Sequence, residues 1–134
     1  MATATNRKAA KEELKAELHQ KAAAVAEEIK TNPATATRFQ KFSRRFESYS
    51  EKNQHLIFVQ NENATECAGF QQWKKSGRQV MKGERGIKIF APTKFTVKDE
   101  EGKPQKDENG EDKKRDGFIM VTVFDISQTE EITQ

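Results

Sequence analysis

Apolar positions in the first thirty residues are sparse: Leu14, Leu18, Val25 and Ile29 recur at intervals of four, seven and four. In a background of Ala, Glu and Lys this spacing predicts a helix over about 5–30 with one thin apolar stripe, fraying at its start. Asn32-Pro33 ends it, and Pro33 suits the first position of the next helix. There the pattern thickens. Phe39, Phe42, Phe46 and Tyr49 fall at i, i+3, i+7 and i+10, one face of a helix over 34–49. Arg38, Lys41, Arg45 and Lys52 keep the same spacing on the neighbouring face. Ser50 is placed to cap a third helix through NQHLIFVQ, although LIFV alone also reads as a buried strand. Phe70 and Trp73 mark a short helix over 65–75, stopped by Gly77 at its C′ position.

After Gly77 the period changes to two. RQVM, IKIFAPTKFTV and GFIMVTVFDI read as three strands of one antiparallel sheet, the first two joined by a hairpin at KGERG. In the last strand Phe118, Met120 and Phe124 alternate with Ile119, Val121 and Val123, so both faces are apolar and its place is central. The segment 98–117 is dense in charge, with Asn109-Gly110 at its tip, and is expected as a mobile hairpin loop too polar to pack. The predicted architecture is α+β: N-terminal helices packed on a small antiparallel β-sheet with a long charged hairpin loop. Residues 1–32 form the leading helix. Residues 33–130 form the working domain, with the loop inside it.

Composition narrows the class. A chain of 134 residues suits one domain, and 34% hydrophobic against 34% charged residues leaves a modest core. A single cysteine, Cys67, excludes an internal disulfide. The start lacks a secretory apolar run, and no stretch approaches the ~20 apolar residues of a membrane span. A cytoplasmic protein without a membrane anchor is expected; nothing in the sequence sets an oligomeric state. The net charge of +3 conceals a strong asymmetry. Residues 38–94 carry 12 basic and 5 acidic side chains, whereas residues 95–134 carry 6 and 11. An anion would bind the middle of the chain.

Catalytic templates fail. The two histidines, His19 and His55, form no H-E-x-x-H, and no phosphate-binding G-x-x-x-x-G-K-[ST] occurs. Asp107, Asn109 and Glu111 begin like a calcium loop, but Asp112 and Phe118 stand where glycine and glutamate are needed. No catalytic residue, metal or cofactor is expected. What remains is cations interleaved with rings, the combination that holds single-stranded nucleic acid by phosphate pairing and base stacking.

The candidate phosphate contacts are Arg38, Lys41, Arg45, Lys74, Arg78, Lys82 and Lys88, with Arg44 and Lys75 beside them. Tyr49, Trp73 and Phe90 are candidate base platforms, and Asn53 a hydrogen-bonding partner for a base or sugar. Gly83 and Gly86 would let backbone N–H groups approach a phosphate. Each has a structural alternative: the rings as core, Asn53 as a helix-start residue, the glycines as ordinary turn chemistry. About five neutralised phosphates would give a log K against log salt slope of roughly −3.5. The rival occupant of the same basic face is an acidic protein, such as a restriction-system subunit.

Three ordered blocks carry a resemblance: YSEKNQHLIFVQ from Tyr49, AGFQQWKKSGRQVMKGERGIKIFAP from Ala68, and VTVFDISQTE from Val121. Together they resemble the N-terminal domain of the ArdC-type antirestriction proteins of conjugative plasmids, also found in related plasmid primases. The similarity spans about residues 39–130, interrupted at the charged loop. It implies a single-stranded-DNA-binding module, which in longer relatives precedes a zincin-like metallopeptidase domain. Because the sequence stops just after DISQTE, neither peptidase site nor zinc is carried over. The resemblance extends a binding role to Tyr49, Asn53, Trp73, Gly77, Arg78, Lys82, Gly83, Gly86 and Lys88.

Overall fold

The computed structural model describes residues 4–133; the expected fraying of residues 1–3 falls outside them. Helix α1 spans Ala4–Thr31, α2 Pro33–Arg45, α3 Glu51–Gln60 and α4 Phe70–Lys75. The strands are β1 (Cys67–Ala68), β2 (Arg78–Val80), β3 (Ile87–Thr96), β4 (Lys114–Asp125) and β5 (Thr129–Glu131), with a 3-10 turn at Ile126–Gln128. The fold is α+β. The chain forms two compact units, one reaching to Ile89 and resuming at Thr122, the other Phe90–Val121.

Local chemistry explains the helix boundaries. Asn32 caps α2, its side chain accepting from Ala34 N and Thr35 N, while Pro33 opens the helix. Asn32 N–H still makes the last bond of α1, to Glu28 O, so one residue closes the first helix and opens the second. Ser50 caps α3 by accepting from Asn53 N. Gly77 closes α4 at a φ of +85°, open to glycine without cost. Helix α2 ends four residues earlier than the ring spacing predicts: Phe46 is its C-cap and the chain turns through Tyr49. Phe42 and Phe46 stack at 4.6 Å, with Phe58 of α3 5.2 Å from Phe42. Leu18, Ala22 and Val25 of α1 are buried beside Leu56, Ile57 and Phe58 in the same core.

Two corrections concern the strands and α4. Residues 65–69 are not helical: Cys67 and Ala68 pair antiparallel with Asp125 and Phe124, so α4 begins only at Phe70. Nor do the three expected strands share one sheet. The larger sheet runs β1-β4-β3, while β2 pairs with β5 in a separate two-stranded sheet. The KGERG turn therefore links two sheets and is not a hairpin. The reason is long-range: Gln128 donates to Arg85 O at 2.6 Å and its carbonyl accepts from Met81 N at 2.9 Å, drawing the turn to the chain's end. Asp125 secures that end; its Oδ1 accepts from Thr65 N and Glu66 N, and its Oδ2 from Ser127. Burial alone would raise this carboxyl, but the hydrogen bonds from Ser127, Thr65 and Glu66 hold it below the ordinary range.

In the Phe90–Val121 unit the two long strands continue as a ribbon. β4 is central, yet its apolar faces are not both covered, since Phe118 and Ile119 are exposed. The charged segment carries a tandem motif, Lys98-Asp99-Glu100-Glu101-Gly102 and Lys106-Asp107-Glu108-Asn109-Gly110, eight residues apart. In each copy the aspartate side chain accepts two backbone N–H groups, Glu101 and Lys103 in the first, Asn109 and Glu111 in the second. Each copy closes a β-bridge, Lys98 with Pro104 and Lys106 with Asp112. The segment is mostly exposed, but its backbone is paired within itself.

Candidate nucleic-acid interface

Helix α4 is held to β4 at one residue by two contacts. Trp73 Nε1 donates to the Phe124 carbonyl at 2.9 Å, and the Phe70 ring meets the Phe124 ring edge-on at 6.5 Å. Trp73 is only 4% exposed, because the inward face of a one-and-a-half-turn helix must bury its largest ring. Phe70, three residues earlier, remains 43% exposed. Lys74, one turn on from Phe70, lies with its ammonium 5.0 Å from that ring's centroid.

The patch continues across the strands. Thr122 and Phe124 alternate onto one face of β4. Thr122 Oγ1 accepts from Lys88 Nζ of β3. Gly86 lies so close that a β-carbon there would stand 2.0 Å from Thr122 Cγ2 and 3.2 Å from Phe124 Cζ. The result is a surface of ring edges and faces flanked by Lys74 and Lys88, with bare backbone at Gly86.

Most candidates from the sequence have other work. Trp73 is an anchor, and Phe90 is buried at 8% exposure, so neither ring offers a face to a base. Tyr49 donates its hydroxyl to the Cys67 carbonyl at 2.8 Å; burial, then the neighbouring Cys67 thiol, raises its pKa. Arg45 donates from Nε to Ala64 O and from Nη2 to Glu62 O, acceptors that lie just past the end of α3 where the chain turns back. Arg45 and Tyr49 do meet, lining a cavity of about 320 Å³ with Ser48 and Thr65. Arg38 pairs with Glu62 at 3.1 Å. Arg78 is spent on Thr129, Nε to its hydroxyl at 2.7 Å and Nη2 to its carbonyl at 3.2 Å.

The remaining candidates lie at or near the surface. Lys41, Arg44, Lys75 and Lys82 are exposed, and Gly83 holds its turn at a φ of +86° with open space around it. Asn53 is half-buried in the first turn of α3, its N–H on Ser50 Oγ. Sequence reasoning passed over Phe70 and Phe124 as generic apolar residues. The available signal was the i, i+4 pairing of Phe70 with Lys74.

These features define a small α+β domain with a ring-and-cation surface on its sheet. The chain belongs to the family described as the N-terminal domain of anti-restriction factor ArdC, which it matches over residues 5–124. An uncharacterised protein of Bacillus anthracis, pXO2-81, is 36% identical over 104 residues, 66% of this chain. The chain spans 18% of that relative's length. The metal-free crystal structure of the antirestriction ArdC protein from the R388 plasmid superposes with a TM-score of 0.49 at 18% identity, covering 73% of this chain and 42% of that one. No helix among the described residues is long and apolar enough to cross a membrane.

Proposed function

We propose that the chain binds single-stranded DNA with little sequence preference, as part of an antirestriction or plasmid DNA-transfer protein, with residues 33–130 as the binding portion. The observation that carries this reading is the exposed Phe70 ring beneath the Lys74 ammonium and against Phe124, with Lys88 and Gly86 alongside. A ring open on one side accepts a base by stacking, and the flanking cations accept the phosphates on either side of it. Duplex hides its base faces and gains nothing from Phe70. The bonds of Arg38 to Glu62, of Arg45 to Ala64 and Glu62, and of Arg78 to Thr129 reduce the expected phosphate contacts to about three, from Lys74, Lys82 and Lys88. The salt slope should then be roughly −2 instead of −3.5.

The test is fluorescence anisotropy of a labelled oligothymidylate against a duplex of equal length, across a salt series. Single strands should bind more tightly, and Phe70→Ala should weaken them about tenfold while leaving the thermal melt in place. Equal affinity for duplex, or binding indifferent to salt, overturns the reading. Absence of binding at low salt together with capture by an acidic protein would establish the interaction-module alternative.

A further inference from the structure

The Phe90–Val121 unit has its own ring-and-cation surface, separate in sequence from the Phe70 patch. Phe118 is 66% exposed, the most exposed large apolar side chain among the described residues. It borders a cleft of about 480 Å³ shared with Pro92, Thr93, Lys94, Asp116 and Gly117. The ribbon beneath is locally ordered. Lys94 and Asp116 pair across it at 2.9 Å, and Lys114 Nζ donates to Thr96 Oγ1 at 2.6 Å. The Phe95 ring lies directly over Gly117, where a β-carbon would stand 2.5 Å from Cε2, and Arg115 caps that ring at 4.9 Å. An exposed ring of this size costs free energy in water.

Its surroundings say what would cover it. On the strand face of Phe118 stand Lys94 and Lys114 against the single acid Asp116, which pairs with Lys94, while Arg115, and Lys113 just before β4, alternate onto the opposite face. The distal turns, residues 98–112, are acidic by seven to three. The charge beside Phe118 is therefore complementary to an anion, and the acidic turns would repel one, leaving the ribbon's root as the contact. A flat apolar ring with lysines on its own face and further cations along the strand edge fits an unpaired base on its phosphate chain.

The geometry points to a second base-stacking contact at Phe118, independent of the Phe70 patch. It rests on the single-stranded-DNA reading above. The test uses the full chain with Phe118→Trp and Phe118→Ala. The wild type, in which buried Trp73 is the sole tryptophan, supplies the baseline against which emission from a tryptophan at 118 is read.

Titration with an oligothymidylate of about 16 nucleotides should quench the new emission along the same isotherm as anisotropy, while heparin, an anion without bases, should not. Phe118→Ala should weaken binding roughly fivefold or more at an unchanged melting temperature. Unquenched emission while anisotropy reports binding, or wild-type affinity in Phe118→Ala, overturns the second contact and leaves the Phe70 site standing. A concentration-dependent blue shift without DNA assigns the ring to a second copy of the chain and also overturns it. No anisotropy change with the wild type removes both readings together.

Discussion

One side chain holds both backbone groups of Lys88: Gln60 Oε1 accepts from its N–H at 2.9 Å, and Gln60 Nε2 donates to its carbonyl at 2.7 Å. The last residue of α3 thus takes the place of a strand at the edge of β3, at the residue whose ammonium reaches Thr122. Gln60→Ala leaves two backbone groups without partners and should cost about 1–3 kcal/mol in urea unfolding. Gln60→Glu keeps the acceptor but loses the donor, so it should recover part of that loss at most.

The Lys74 and Lys82 ammonium groups are tested through salt rather than affinity alone. Replacing both with alanine should flatten the log K against log salt slope by about 1.4. An unchanged slope would place both side chains outside the phosphate path.

Gly86→Ala tests the close approach to β4. The added carbon meets Thr122 Cγ2, and a clash against a strand should cost about 1–3 kcal/mol in thermal unfolding. Thr122→Ser removes that methyl yet keeps the hydroxyl that accepts from Lys88, so the double variant should regain more than half of the loss. Gly83→Ala meets no atom and should cost only the strain of its positive φ, about 1 kcal/mol.

Acid stability should respond to two histidines that join α1 to α3. His19 is lowered by burial, then by Lys52 and Lys15; His55 is lowered by burial, which outweighs the opposing pull of Glu51. Below about pH 6.5 the unfolded chain takes up protons that these sites refuse. Stability should be full above that pH and decline as pH falls towards the depressed native values. His55→Asn should reduce the slope of denaturation midpoint against pH below about 6.5.

Cys67 is buried, and desolvation, reinforced by Asp125 and Glu66, pushes its thiol up to about 12. Native protein at pH 8 should leave it unmodified by a thiol-specific disulfide reagent, while denaturant should expose it at once. Rapid native labelling would show the 65–68 segment opening away from Asp125.

Local signals were legible in the sequence: Asn32-Pro33, the Ser50 cap, the stop at Gly77 and the central place of β4 each depend on a few neighbouring residues. Pairings between distant segments were not. β2 alternates like any strand, and nothing within RQV says that its partner is Thr129–Glu131. The cationic stripe of α2 was legible as charge, but its arginines act on acceptors that only the returning chain supplies, Glu62 and Ala64. Trp73 and Phe70 look equivalent in a helical pattern. Only the carbonyl of Phe124, fifty-one residues beyond Trp73, decides which ring turns inward.

The paired aspartate turns at 98–112 each close on their own backbone, and the backbone link between them and the strands runs through Gln105, whose N–H donates to Val97 O and whose carbonyl accepts from Lys113 N. Such an octet is a unit of length: a third copy spliced after Asp112, or one copy deleted, would change the arm's extent while the strands at its root kept their register. A change of length here should therefore cost folding little, and an engineered tag or label placed between the octets would inherit that tolerance.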